Sequence, residues 1–85
     1  MITLRQLEIF QAVAHREHVT DAANAVHLSQ SAVSTALAEL AERLGGPLFE
    51  RVGRRIVLND RGRKLAEDAG DLLMRASDLV QHYNH

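Results

Sequence analysis

Gln30, Ser31, Ser34 and Thr35, with the small Ala38 beyond them, offer hydrogen bonding without charge, and Arg51, Arg54 and Arg55 add planar cationic forks a short way along the chain. A glutamine can pair in two-pronged fashion with adenine, serine and threonine hydroxyls suit bases or phosphates, and a guanidinium matches a phosphate or a guanine edge. Such a set suits recognition of a nucleic acid better than bond-making. Other chemistries find less support. His15 and His18 with Glu17, and His82 with His85, have helical ligand spacing. A zinc site takes three or four ligands, however, and spacing supplies no third at either place, so these histidines are expected to be solvated or capping, and His27 to pack or cap in a turn. No nucleophile motif, phosphate-cradling glycine loop or buried carboxylate pair is visible, so no catalytic residue, metal or cofactor is expected.

Charge is distributed in three blocks. The sum over 85 residues is −1, against the basic balance usual for a nucleic-acid-binding domain, but residues 1–50 carry −3, residues 51–64 carry +5 and residues 65–85 carry −3. Screening confines the acidic repulsion to about 8 Å in physiological salt, so the basic block can still hold phosphate locally. The chain has no cysteine, which excludes disulfides and thiolate metal sites and suits a reducing cytoplasm. No apolar run is long enough for a membrane span, and Met1 to Arg5 lacks the layout of a secretory signal.

The elements that must position these side chains follow from periodicity. Thr3 is an N-cap for a first helix with Leu4, Leu7, Phe10, Val13 and Ala14 on one face, ending near residues 15–18. Thr20, with Asp21, opens a short second helix of small residues, Ala22, Ala23, Ala25 and Val26, and His27-Leu28 makes a turn. Ser29 caps a third helix, to about Leu44, stopped by Gly45-Gly46. Its inner face carries Val33, Leu37, Leu40 and Leu44, and its outer face carries Gln30, Ser31, Ser34, Thr35 and Ala38. An ordinary solvated face would carry Lys and Glu, so an uncharged polar face suits close contact. Residues 48–51 and 56–58 read as two strands around a basic tip, Gly53-Arg54-Arg55, and Asn59 or Asp60 caps a last helix. There Leu65, Ala69, Leu72, Ala76, Leu79 and Tyr83 recur at alternating spacings of four and three, with Ala66, Leu73 and Val80 alongside, a heptad-like stripe for the domain core, a second subunit or both. The fold class is therefore mainly α, a winged helix-turn-helix with its helix-turn-helix at about 19–38 and its wing at about 48–58, followed by a long helix. Residues 1–59 make the DNA-binding domain and residues 60–85 a linker and dimerisation helix. In this arrangement the third helix enters the major groove.

Several separately placed words, Leu4-Arg5-Gln6-Leu7, Ala22-Ala23, Leu28-Ser29-Gln30-Ser31-Ala32-Val33-Ser34, Leu48-Phe49-Glu50-Arg51 and the stretch from Leu58 to Gly62, resemble the LysR-type transcriptional regulators, in the right order and over essentially the whole chain. The resemblance implies bacterial, cytoplasmic and nucleoid-associated regulators that bind palindromic double-stranded operators as homodimers through the long helix, with two recognition helices roughly 34 Å apart. It implies tetramers only for full-length proteins. A small-molecule effector would bind through a C-terminal domain absent here. By position, Gln30, Ser31, Ser34 and Thr35 match recognition-helix contacts, Thr20 and Ser29 phosphate-side contacts, and Arg51 and Arg54 the wing. Thr20 and Ser29 read equally as caps, while Arg55, Arg61, Arg63 and Lys64 read equally as a solvated face.

The chain departs from the family pattern at four places. Thr35 stands where an arginine is frequent, Ser31 where proline is, Val19 where Phe is, and Gly46 where an apolar residue is. Residues 29–37 with Val52-Gly53-Arg54-Arg55 look like branches governing sulfur or inorganic-carbon metabolism. The alternative from another class is a helical protein-interaction module that uses the polar third-helix face and the last helix without binding DNA.

Overall fold

The computed structural model describes residues 1–84. Helix α1 spans Leu4–Arg16, α2 Val19–Ala25, α3 Gln30–Arg43 and α4 Asp60–Tyr83, with strands β1 Phe49–Val52 and β2 Arg55–Leu58 between α3 and α4. Caps account for most of these boundaries. The Thr3 hydroxyl accepts from the Gln6 N–H and the Gln6 side chain accepts from the Thr3 N–H, both at 3.0 Å, a reciprocal capping box. Ser29 caps α3 by accepting from the Ala32 N–H at 3.1 Å, and Asn59, rather than Asp60, caps α4 by accepting from the Gly62 N–H at 2.8 Å. Beyond α3 the chain turns left-handed at Gly45, with φ at 90°, and the Gly46 N–H returns to the Ala41 carbonyl at 2.9 Å.

The start of α2 differs from the sequence expectation. Its N-cap is His18, which makes no side-chain cap bond, and Thr20 lies inside the first turn and caps nothing. The helix is placed instead by the corner before it, where Glu17 adopts φ 60° and ends α1. His27 also takes a left-handed conformation, φ 59°, and directs the Leu28 N–H back to the Ala23 carbonyl at 2.9 Å. This is the six-to-one closure that turns the chain from α2 toward α3.

Two apolar clusters share α1. Leu7 and Phe10 join Leu40, Leu48 and Ala69, while Ile9 and Val13 join Ala22, Ala23 and Val33. The small residues of α2 let it approach both neighbours closely. Phe49 packs against both clusters, its ring 5.3 Å from that of Phe10, and so seats the hairpin on the helices. The strands pair antiparallel with Val52 opposite Arg55. Gly53 and Arg54 form the two-residue turn, Gly53 at φ 61°, as such a loop requires at its first position. Arg55, read from sequence as part of the tip, is thus the first residue of β2.

Helix α4 begins inside the domain and leaves it. A β-carbon at Gly62 would lie 2.0 Å from the Leu48 carbonyl oxygen, so only glycine permits the helix to start this close to the hairpin. Leu65, Ala66, Ala69 and Leu73 pack into the first cluster, and Gln11 donates to the Ala66 carbonyl at 3.1 Å. Beyond this the heptad-like stripe divides. Ala76 is half-buried, but Leu72, Met74, Leu79, Val80 and Tyr83 are exposed, Leu79 by 59% and Tyr83 by 78%.

Candidate nucleic-acid interface

The strip on α3 is open. Gln30, Ser31, Ser34, Thr35 and Ala38 are all exposed, whereas Val33 and Leu40 on the opposite face are fully buried and Leu37 half-buried. Both results follow from one periodicity, because residues three and four apart share a face and the apolar set saturates the inner one. Ser29 at the helix start bonds the Ala32 N–H and lies 3.2 Å from the Ser31 hydroxyl oxygen. Capping therefore occupies part of its capacity, but a hydroxyl carries one donor and two acceptor positions, so Ser29 can still meet a phosphate.

A cleft of about 320 Å³ opens beside the start of this strip, lined by Glu17, Thr20, Asp21, Gln30, Arg51, Arg54 and neighbouring residues. It brings Thr20, Gln30 and two wing arginines together from α2, α3, β1 and the hairpin turn. The N-terminal ends of α2 and α3 also border it, and unsatisfied N–H groups there favour an anion. Residues opposed across the hairpin share a face, so Arg51 lies on that of Ile56, toward the cleft, while Arg55 lies with Val52 and Val57 on the other.

The basic block resolves into engaged and unengaged cations. Arg55 pairs with Glu17 at 3.0 Å, and Lys64 with Asp68 at 3.5 Å. Arg63 bonds the Leu58 carbonyl and pairs with Asp60, and Arg61 donates to the Leu44 carbonyl at the end of α3. The side chains of Arg51 and Arg54 are exposed and make no ion pair or hydrogen bond to any described residue. Two guanidiniums of the block are thus available to an outside partner beside the α3 strip. Sequence reasoning did not single out Glu17 and Asp21 as cleft residues; the polar break at residues 16–18 marked the corner without marking its contacts.

Residues 4–63 match the family model of bacterial regulatory helix-turn-helix proteins, lysR family. The chain belongs to that family. This lysR-family chain is 49% identical over 80 residues to the uncharacterized transcriptional regulator YeiE of Escherichia coli strain K12, covering 94% of this chain and 27% of that one. It is 45% identical over 64 residues to the RuBisCO operon transcriptional regulator of Allochromatium vinosum, covering 75% of this chain and 21% of that one. Its structure matches that of BenM_DBD in complex with catB site 1 DNA with a TM-score of 0.93 at 29% identity, over 98% of this chain and 92% of that one. The lysR-family chain therefore spans about a quarter of the length of the curated relatives it matches.

Among the described residues no group of three or more His, Asp or Glu side chains could hold a metal ion, and no helix is long and apolar enough to cross a membrane. His85, one of the histidines paired by spacing, lies outside the described residues.

Proposed function

We propose that this chain is the DNA-binding segment of a LysR-type transcriptional regulator and reads double-stranded DNA by laying the outer face of α3 in the major groove. One observation carries the reading. An uncharged hydrogen-bonding strip is exposed along α3, and the two unengaged arginines of the basic block stand beside its N-terminal end. Gln30, Ser31, Ser34 and Thr35 take the base edges, with Ala38 close to the groove floor. Thr20 and Ser29 take phosphates at the helix starts, and Arg51 and Arg54 take the backbone or the adjacent minor groove.

The exposed distal stripe of α4 supports a homodimer, Leu72, Leu79, Val80 and Tyr83 packing against the same residues of a second copy on a palindromic site. Each subunit gains apolar burial in this way. The role is binding and not catalysis, the place is the bacterial nucleoid, and any effector acts through parts of the protein beyond this segment. The likeness to a RuBisCO operon regulator supports inorganic-carbon genes as its targets.

Selection of bound duplexes from a randomised pool, followed by a salt titration of selected and unselected DNA, tests this. The selected duplex is expected to bind about a thousandfold or more tighter at physiological salt. Equal affinity for both pools would leave α3 without a reading role and return the chain to the protein-interaction alternative.

A further inference from the structure

Glu17 stands apart from the surface carboxylates around it. Among the described residues it is one of two non-glycine residues with positive φ, a conformation that side chains rarely adopt, and three contacts fix it there. Its N–H donates to the Val13 carbonyl at 2.8 Å, its carbonyl accepts from the Ile56 N–H at 2.9 Å, and its carboxylate oxygen Oε1 accepts from Arg55 Nη1 at 3.0 Å. Two consecutive residues of β2 are thereby tied to the corner between α1 and α2. The carboxylate side chain is 35% exposed and that of Arg55 55%. Glu17 also lines the cleft that holds Thr20, Gln30, Arg51 and Arg54, so the Arg55 guanidinium, carried on the other face of the hairpin, comes within 3.0 Å of one of that cleft's residues.

We propose that Glu17 is a positioning residue of this interface, its carboxylate keeping Arg55 out of phosphate contact so that the chain engages DNA with one cation fewer than its wing carries. The proposal rests on the DNA-binding reading above and deepens it. A phosphate approaching Arg55 must displace the Glu17 carboxylate, on a residue already held in place by its own backbone bonds. Contacts to phosphate do not discriminate sequence, so withholding one lowers affinity for all DNA alike and keeps the difference between sequences that α3 sets.

Salt titrations against a pool of randomised duplex DNA test the proposal, because the slope of log affinity on log salt counts neutralised phosphates and a merely structural residue would not steepen it. E17Q is expected to steepen the slope by about 0.9 and to bind about five- to tenfold tighter at 0.1 M salt. E17G, which suits the left-handed backbone and removes the same charge, is expected to do likewise, and it decides the matter should E17Q melt early. R55Q alone should leave the slope of the parent chain unchanged, and E17Q with R55Q should restore it. The proposal is overturned if E17Q and E17G leave the slope as it was, if R55Q alone flattens it by about one, or if the double variant stays steep. A parent chain that fails to bind any duplex would instead sink the DNA-binding reading, a result distinct from all three.

Discussion

Helices α3 and α4 each present an unusual surface to solvent, and they do so in opposite ways. The outer face of α3 is polar, small and without charge from Gln30 to Ala38, while the distal half of α4 exposes Leu72, Leu79, Val80 and Tyr83 among carboxylates. The first can remain wetted indefinitely, since each hydroxyl and amide finds water, and gives up that water only to a surface offering matched donors and acceptors. The second loses free energy while it stays wet and gains from any apolar cover. A surface built to choose thus differs from a surface built to be covered. In the proposed regulator, selectivity belongs to α3 and association to α4.

Four substitutions would break or sharpen that division. Phe10→Ala removes a ring from the core cluster to which both α3 and α4 contribute and should destabilise the fold by about 3–5 kcal/mol in denaturant titration, abolishing both properties together. Loss of only one would show that the faces do not share a core. Leu79→Glu should weaken self-association by about 100-fold in analytical ultracentrifugation, two copies per dimer each giving up about 1.5 kcal/mol of burial, with the melting of the single domain nearly unchanged. Gln30→Ala should cost about 1–3 kcal/mol on the selected duplex and leave randomised DNA almost unaffected. Equal losses on both would remove Gln30 from base reading. The smallest effect belongs to Arg54→Ala, which should flatten the salt slope by about one for every sequence alike, and an unchanged slope would take Arg54 off the phosphate backbone.

Local chemistry made much of this legible beforehand. Thr3, Ser29 and Asn59 carry side chains that satisfy free N–H groups at the helix starts, Gly45 stops α3 for a conformational reason, and the spacing of Val33, Leu37 and Leu40 fixes which face of α3 turns inward. What stayed hidden depends on residues distant in sequence. Glu17 and Arg55 are 38 positions apart, and nothing in Arg16-Glu17-His18 signals a left-handed corner. Thr20 looked like a cap because threonine prefers that role, yet the corner at Glu17 had already set the chain three residues earlier. The pairings of Arg55, Arg61, Arg63 and Lys64 separate four engaged cations from two available ones, where composition displayed a single basic run. Gly62 is the clearest case, since its need arises from the Leu48 carbonyl across the fold.

That crowding at Gly62 has a mechanical side. The Asn59 N–H and side-chain amide hold the Leu48 and Pro47 carbonyls at 3.1 and 2.9 Å, just where the helix is pressed against Leu48 ahead of β1. No slack remains between the base of α4 and the hairpin. A helix of 24 residues is a rod about 36 Å long, so a push at Tyr83 acts with a long arm on a short one. Tilting the rod therefore loads the Leu48 carbonyl through Gly62 directly, with no side chain between them to yield.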